Sequence, residues 1–94
     1  MNIKIDDNYR ITSDSMQYIL QERKERKEIK IDPRTGELED KYYYVNVGYF
    51  GKIYYALQAF KELQIRNSDV TSVQELMNLI KELDFKIEKL LGGN

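Results

Sequence analysis

Between Ser72 and Leu91, the residues Val73, Leu76, Ile80, Leu83, Ile87 and Leu90 recur at spacings of 3, 4, 3, 4 and 3. At 3.6 residues per turn, that spacing draws one apolar seam along a helix. Such a seam must be covered, by the chain's own sheet or by another chain. Val73, Ile80 and Ile87 take heptad position a, and Leu76, Leu83 and Leu90 take position d. β-Branched residues at a with leucine at d favour parallel two-stranded coils. The run is nevertheless shorter than three full heptads, and Met77, Leu79 and Leu91 stand at e and g positions where charges usually set pairing. They widen the stripe, as in a helix that touches two neighbours of its own domain. Packing within the chain is therefore favoured, and a homodimer through the same six residues is the alternative. Met77 and Phe85 lie off the seam and are expected at the surface. Ser72 can cap the helix, Glu75 three positions on completes a capping box, and Gly92-Gly93 supplies the stop.

The residue types missing from the chain narrow its chemistry. It has no cysteine and no histidine. Disulfides, thiolate chemistry and cysteine-type zinc sites are excluded, as is the commonest general base near neutral pH. Its 15 basic and 16 acidic residues leave a net charge of −1, so no overall field draws it to nucleic acid. No stretch approaches the roughly 18 apolar residues of a membrane span, and the acidic start, Met1 to Asp7, does not read as a signal peptide. A cytoplasmic protein without cofactors is expected. Ninety-four residues allow one domain, residues 1–94, which buries about 60–65% of its unfolded surface.

The first half reads as strands, over about residues 2–50. Asn2 to Ile5 is short and weak. Tyr9-Arg10-Ile11-Thr12 alternates, Ser13-Asp14-Ser15 is a polar turn, and a second strand runs from Met16 to Gln21 or as far as Lys24. Asp32-Pro33-Arg34-Thr35-Gly36 is the best turn signal: proline pre-sets φ, and glycine tolerates the positive φ that ends the turn. Leu38 to Phe50 returns, with Val45, Val47 and Tyr49 on one face and Tyr44, Asn46 and Phe50 on the other. If Ile31 opposes Leu38, Arg23 opposes Asn46, and the hairpin arms are about 14 residues or ~45 Å long. That exceeds the width of a domain this size, so the distal half projects, bends or frays. The second half reads as two helices, at about 52–66 and 72–91, the first with Ile53, Ala56, Leu57, Phe60 and Leu63 on one side. The expected fold is α+β: an antiparallel meander of two or three strands with a long hairpin, then an αα-hairpin packed on one sheet face.

Candidate binding residues fall in the hairpin and in the strand that follows it. Residues 22–30 carry Arg23, Lys24, Arg26, Lys27 and Lys30 against Glu22, Glu25 and Glu28, an excess of two positive charges. A solvated arm of ion pairs is the favoured reading, since exposed pairs of this kind are routine and contribute little. The sharper reading is a recognition arm, with Arg34 at its tip, that enters an acidic cleft or tracks a phosphate backbone. Six of the eight tyrosines, Tyr42, Tyr43, Tyr44, Tyr49, Tyr54 and Tyr55, lie within 14 positions. Tyrosine is foremost a strand residue that buries its ring and keeps its hydroxyl wet. It is next an interface residue, and last, beside Lys41 and Lys52, a platform for bases. The acid Asp6-Asp7-Asn8 lacks calcium-loop spacing, Gly48-x-x-Gly51 is too sparse for a phosphate loop, and the serines have no histidine to activate them. No catalytic residue or metal ligand is assigned, and no enzyme activity is expected.

Asp7-Asn8-Tyr9-Arg10-Ile11-Thr12-Ser13-Asp14-Ser15 through Tyr18-Ile19-Leu20, Val47-Gly48-Tyr49-Phe50 leading into Ala56-Leu57-Gln58-Ala59-Phe60, and Ile65-Arg66-Asn67-Ser68-Asp69 before the last helix together carry a resemblance. The chain resembles short, mostly uncharacterised proteins encoded by phages and prophages of low-GC Gram-positive bacteria. The similarity covers nearly all of it, with the charged hairpin tip as the variable part. These motifs are structural and transfer no active site. The resemblance implies a phage product of unknown role. Small phage proteins without catalytic residues often act by binding and blocking host proteins, CRISPR nucleases and other defence factors among them, and that class expectation is carried to this chain. The contact surface assigned on this reading is Arg23, Lys24, Arg26, Lys27, Lys30, Arg34, Tyr42, Tyr43 and Tyr44, with nucleic acid as a less favoured partner and no membrane.

Overall fold

The computed structural model describes residues 1–92. Of the glycine pair expected to end the last helix, Gly93 lies outside the described residues. Gly92 takes φ +91°, and Ser72 accepts the Glu75 N–H at 3.1 Å. The Glu75 side chain reaches back to the Thr71 N–H at 2.9 Å, one residue earlier than a standard capping box requires.

Four strands, β1 (Asn2–Lys4), β2 (Tyr9–Ser13), β3 (Tyr18–Glu25) and β4 (Tyr42–Phe50), precede two helices, α1 (Ile53–Arg66) and α2 (Val73–Leu90). The strands lie in chain order, each antiparallel to the next. The layering is the expected α+β arrangement, with four strands in place of two or three. The additional strand is Asn2–Lys4, which pairs despite its length because a tight turn holds it against β2. The Asp6 carboxylate accepts the Asn8 and Tyr9 N–H groups at 2.8 Å each, and buried Ile5 anchors the strand's end. Met16 is not in a strand. It sits in the 14–17 loop with its side chain in solvent, while Asp14 accepts the Met16 and Gln17 N–H groups and is thereby held below the usual carboxylate range.

One core joins sheet and helices. Tyr9 and Ile11 of β2 and Leu20 of β3 face Ala56, Leu57 and Phe60 of α1 and Leu83 and Ile87 of α2. Phe60 is fully buried, and its ring meets Tyr9 edge-on with centroids 5.4 Å apart. The Tyr9 hydroxyl donates to Glu22 at 2.5 Å, and burial, then Glu22, pushes its pKa up to about 12. Lys61 bridges α1 to Asp84 of α2 at 2.7 Å. The seam of α2 is consumed unevenly by this packing. Leu83 and Ile87 are buried, Leu76, Ile80 and Leu90 are half-buried, and Val73 is 74% exposed. A dimer through all six would have to draw on Leu83 and Ile87, which already belong to the chain's own core. Met77 and Phe85 are exposed, as their off-seam positions require.

The long hairpin departs from a single continuous ladder. Ile31 does oppose Leu38, and Gly36 takes φ +73° at the turn. Arg23, however, opposes Tyr44 rather than Asn46, and Ile19 opposes Tyr49 rather than Phe50. Five residues (26–30) on one arm match three (39–41) on the other between Glu25–Tyr42 and Ile31–Leu38, so the ladder breaks there. A bulge opposite Leu20/Gln21 adds Val47 to β4 and exchanges the faces beyond it. Tyr42, Tyr44, Asn46 and Tyr49 consequently share the face away from the helices, and Phe50 packs towards the core. That reverses the expected grouping of Tyr49 with Val45 and of Phe50 with Tyr44. Beyond the bulge Gly48 fits where a side chain would not: a Cβ there meets the Phe50 ring at 2.7 Å. With the arm projecting, the molecule measures 52 × 35 × 24 Å and has a radius of gyration of 16.3 Å, against about 12 Å for a compact chain of this length.

Candidate functional site

The helices cover one face of the sheet. The other face is assembled from alternate residues of all four strands: Asn2 and Lys4, Arg10 and Thr12, Ile19 to Glu25 at every second position, and the β4 residues above. Alternation forces this, because Tyr9 and Ile11 point into the core and Arg10 between them must point out. The arginines then lie across neighbouring strands. The Arg10 guanidinium sits 3.4 Å from the centre of the Tyr44 ring, and that of Arg23 sits 4.1 Å from Tyr42. A hydrogen-bond chain crosses three strands: Arg10 Nε donates to Gln21 Oε1 at 2.7 Å, Gln21 Nε2 to Asn46 Oδ1 at 2.7 Å, and Asn46 Nδ2 to the Tyr49 hydroxyl at 3.0 Å. The chain holds the side chains in fixed poses and leaves the Arg10 terminal nitrogens free of these bonds. Among the described strand residues of this face, Glu25 is the one acid, and Lys41 pairs with it at 3.3 Å, which raises the Lys41 pKa. A chain of net charge −1 thus gathers Lys4, Arg10 and Arg23 on its open face.

The nine residues assigned from the sequence do not form one surface. Arg23, Tyr42 and Tyr44 lie on the open face. Lys24 lies on the reverse, paired with Glu22; each pulls the other's pKa towards its charged form. Tyr43 is on the reverse too, with Arg26 stacked 4.9 Å from its ring centre and donating from Nε to the Asp40 carbonyl at 2.8 Å. Lys27, Lys30 and Arg34 follow along the arm beyond β3, and none makes an ion pair among the described residues. Residues 22–41 hold seven basic and seven acidic side chains, so the arm that looked basic on its outgoing side is neutral once Glu37, Glu39 and Asp40 return beside it. What stands out there is apolar: Ile29, Ile31 (64%) and Leu38 (69%) are all exposed.

Sequence reasoning missed Arg10, Gln21 and Asn46, and weighed Tyr49 among the clustered tyrosines without placing it on the assigned surface. The signal for Arg10 was present in the alternation of Tyr9-Arg10-Ile11-Thr12, but its neighbours come from strand order and from a bulge that no residue pattern announces. Chemically the face can grip oxyanions with arginine forks and offer flat aromatic contact. It presents no nucleophile beside a base, and no three potential metal ligands converge among the described residues. Concavities of about 490 Å³ at the arm tip, lined by Pro33 and Glu37, and about 410 Å³ beside α2, lined by Asp69, Glu75 and Glu82, hold no such pairing either. No described helix is long and apolar enough to cross a membrane. No protein-family model matches this chain, and neither does any curated protein or solved structure.

Proposed function

We propose that the chain is a non-enzymatic protein-binding module whose working surface is the open sheet face together with the root of the arm. The observation that carries this reading is the segregation of Arg10 and Arg23 with Tyr42, Tyr44 and Tyr49 on a face without helix cover, in a chain that is acidic overall. Arginine and tyrosine are the side chains that dominate binding energy at protein interfaces, because they bring large, stiff, amphipathic contact area. The partner is then an acidic protein surface. If the resemblance to phage-encoded proteins holds, that partner is a host protein, and a host defence complex such as a CRISPR nuclease is the first to test. The aliphatic tip of the arm adds a second contact, since the bridged pair Ile31 and Leu38 leaves most of its surface in solvent.

The test is a pull-down from lysate of a low-GC Gram-positive bacterium. Three baits are compared: the native chain, an Arg10→Glu/Arg23→Glu variant, and a variant in which residues 27–39 are replaced by a short turn. The native bait should retain a specific protein in full, with the face variant losing it outright and the arm variant retaining less of it. Identical captures by all three remove the reading.

The same segregation of positive charge favours a second reading, single-stranded nucleic acid with bases stacked on the open-face tyrosines. It requires affinity that falls steeply with salt. No detectable binding of DNA or RNA, single- or double-stranded, at low salt eliminates it.

A further inference from the structure

The sheet has two unlike edges. β1 is a three-residue edge carrying Lys4, which is how sheets blunt a free border. β4 is nine residues long, and in a chain one-third charged it contains no charged residue and no proline. No backbone hydrogen bond other than those to β3 involves Tyr42–Phe50 among the described residues.

The hydrogen-bond pattern identifies which β4 residues face outward. The Arg23 N–H donates to the Asn8 carbonyl, so Arg23 addresses β2, whereas the Arg26 N–H donates to the Lys41 carbonyl. Antiparallel strands alternate in this respect. Lys41, Tyr43 and Val45 therefore bond to β3, and Tyr42, Tyr44 and Asn46 turn both N–H and C=O to the free side. Those three also place their side chains on the open face. Any residue that paired with Tyr44 from outside would set its side chain on that face too, about 5.5 Å away between α-carbons. Arg10 extends towards that place from β2, its guanidinium lying over the Tyr44 ring. The bulge at Val47 limits the regular edge to Tyr42–Asn46, five residues beyond which the faces exchange.

We propose, resting on the protein-binding reading above, that β4 takes up a fifth strand at Tyr42–Asn46: an extended segment of an acidic partner protein whose aspartate or glutamate opposes Tyr44 and is forked by Arg10. Main-chain pairing supplies attachment and the arginine supplies selection. A second copy of this chain is the poorer occupant. Its own β4 carries no acid to offer Arg10, and in full antiparallel overlap Lys41 of each copy falls beside Gly51 and Lys52 of the other.

The probe is the peptide acetyl-Thr-Val-Glu-Val-Thr-amide, titrated into isotope-labelled full chain while the amide signals are followed. Its comparison peptides replace the glutamate by glutamine or N-methylate the glutamate backbone. The expected result is shift and exchange protection at Tyr42, Tyr44 and Asn46, about tenfold weaker binding of the glutamine peptide, and none of the N-methylated one. An Arg10→Gln chain, shown to be folded by the same spectrum, should bind the glutamate and glutamine peptides alike. Equal binding of glutamate and glutamine peptides by the native chain overturns the proposal. So does equal binding of the methylated peptide, or silence at millimolar concentration. Protection of the β4 amides by raised protein concentration alone makes the occupant a second copy, and shifts of the same amides by oligothymidylate make it nucleic acid; either result also overturns it. If a lysate partner depends on Arg10 and Arg23 but is not displaced by the glutamate peptide, the protein-binding reading stands and the strand addition falls.

Discussion

Arg10 and Ile11 are neighbours in one strand, yet they belong to two different materials. Ile11 is fully buried beneath the helices with Tyr9, Leu20 and Phe60, while Arg10 lies on the opposite side over the Tyr44 ring. The covered side of the sheet is a core: apolar, close-packed and sealed. The open side is a lattice of stacked guanidinium groups, aromatic rings and amides linked by hydrogen bonds. Such a lattice orders side chains without removing them from water, so it is built for contact more than for cohesion. On the proposed function, fold stability belongs to one side and recognition to the other, so that each can be perturbed separately.

The sharpest contrast comes from truncation. Phe60→Ala is expected to cost about 3–5 kcal/mol in denaturant unfolding, because a fully buried ring leaves a cavity. Tyr44→Ala on the other side should cost under about 1 kcal/mol, since an exposed cation–π pair is worth that or less. Comparable losses at both positions would make the open side a second core and erase the distinction.

An alkaline titration reads the covered side through Tyr9, once the Tyr9→Phe variant is taken as its reference. Tyr9 has a folded pKa of about 12, above the unfolded value of about 10. Below pH 10 both states hold the proton, and its contribution is complete. Between pH 10 and 12 the unfolded chain ionises first, so stability falls as pH rises, by about 2–3 kcal/mol in all. Tyr9→Phe should flatten that decline. If the slope persists in the variant, some other group causes it.

Smaller effects mark the boundary between the two sides. Gly48→Ala should destabilise by about 1–3 kcal/mol, because its methyl group meets the Phe50 ring and the ring must turn out of the core; an unchanged midpoint would mean that the bulge yields freely. Ser72→Ala removes the α2 cap and should cost about 1 kcal/mol by the same measurement without altering any open-face interaction.

The helices and the covered side were legible in the chain because their periodicities are local: Ala56, Leu57 and Phe60, then Leu83 and Ile87, follow helical spacing and are buried. The open face was less so, because it depends on relations between strands. The turn at Asp32–Gly36 sets one register; the core pairs Leu20–Gly48 and Tyr18–Phe50 are offset from it by one residue, and the pairs from Gln21–Asn46 to Glu25–Tyr42, beyond the bulge, by two. Counting outward from Ile31 and Leu38 therefore misplaced every partner of β3. The bulge at Val47 then exchanged Tyr49 and Phe50 between faces, with an isolated glycine in a strand as its sole trace. Local charge also misled: the basic outgoing arm is cancelled by acids that only the hairpin brings alongside.

The five-against-three mismatch between Glu25–Tyr42 and Ile31–Leu38 has a consequence for how such a molecule tolerates change. It acts as a slack joint, absorbing whatever offset the distal loop imposes before the offset reaches the body. Residues gained or lost beyond it alter how far the loop extends, while the pattern of groups displayed beneath stays put. Reach and chemistry are in this way uncoupled, and the length of one can drift without rewriting the other.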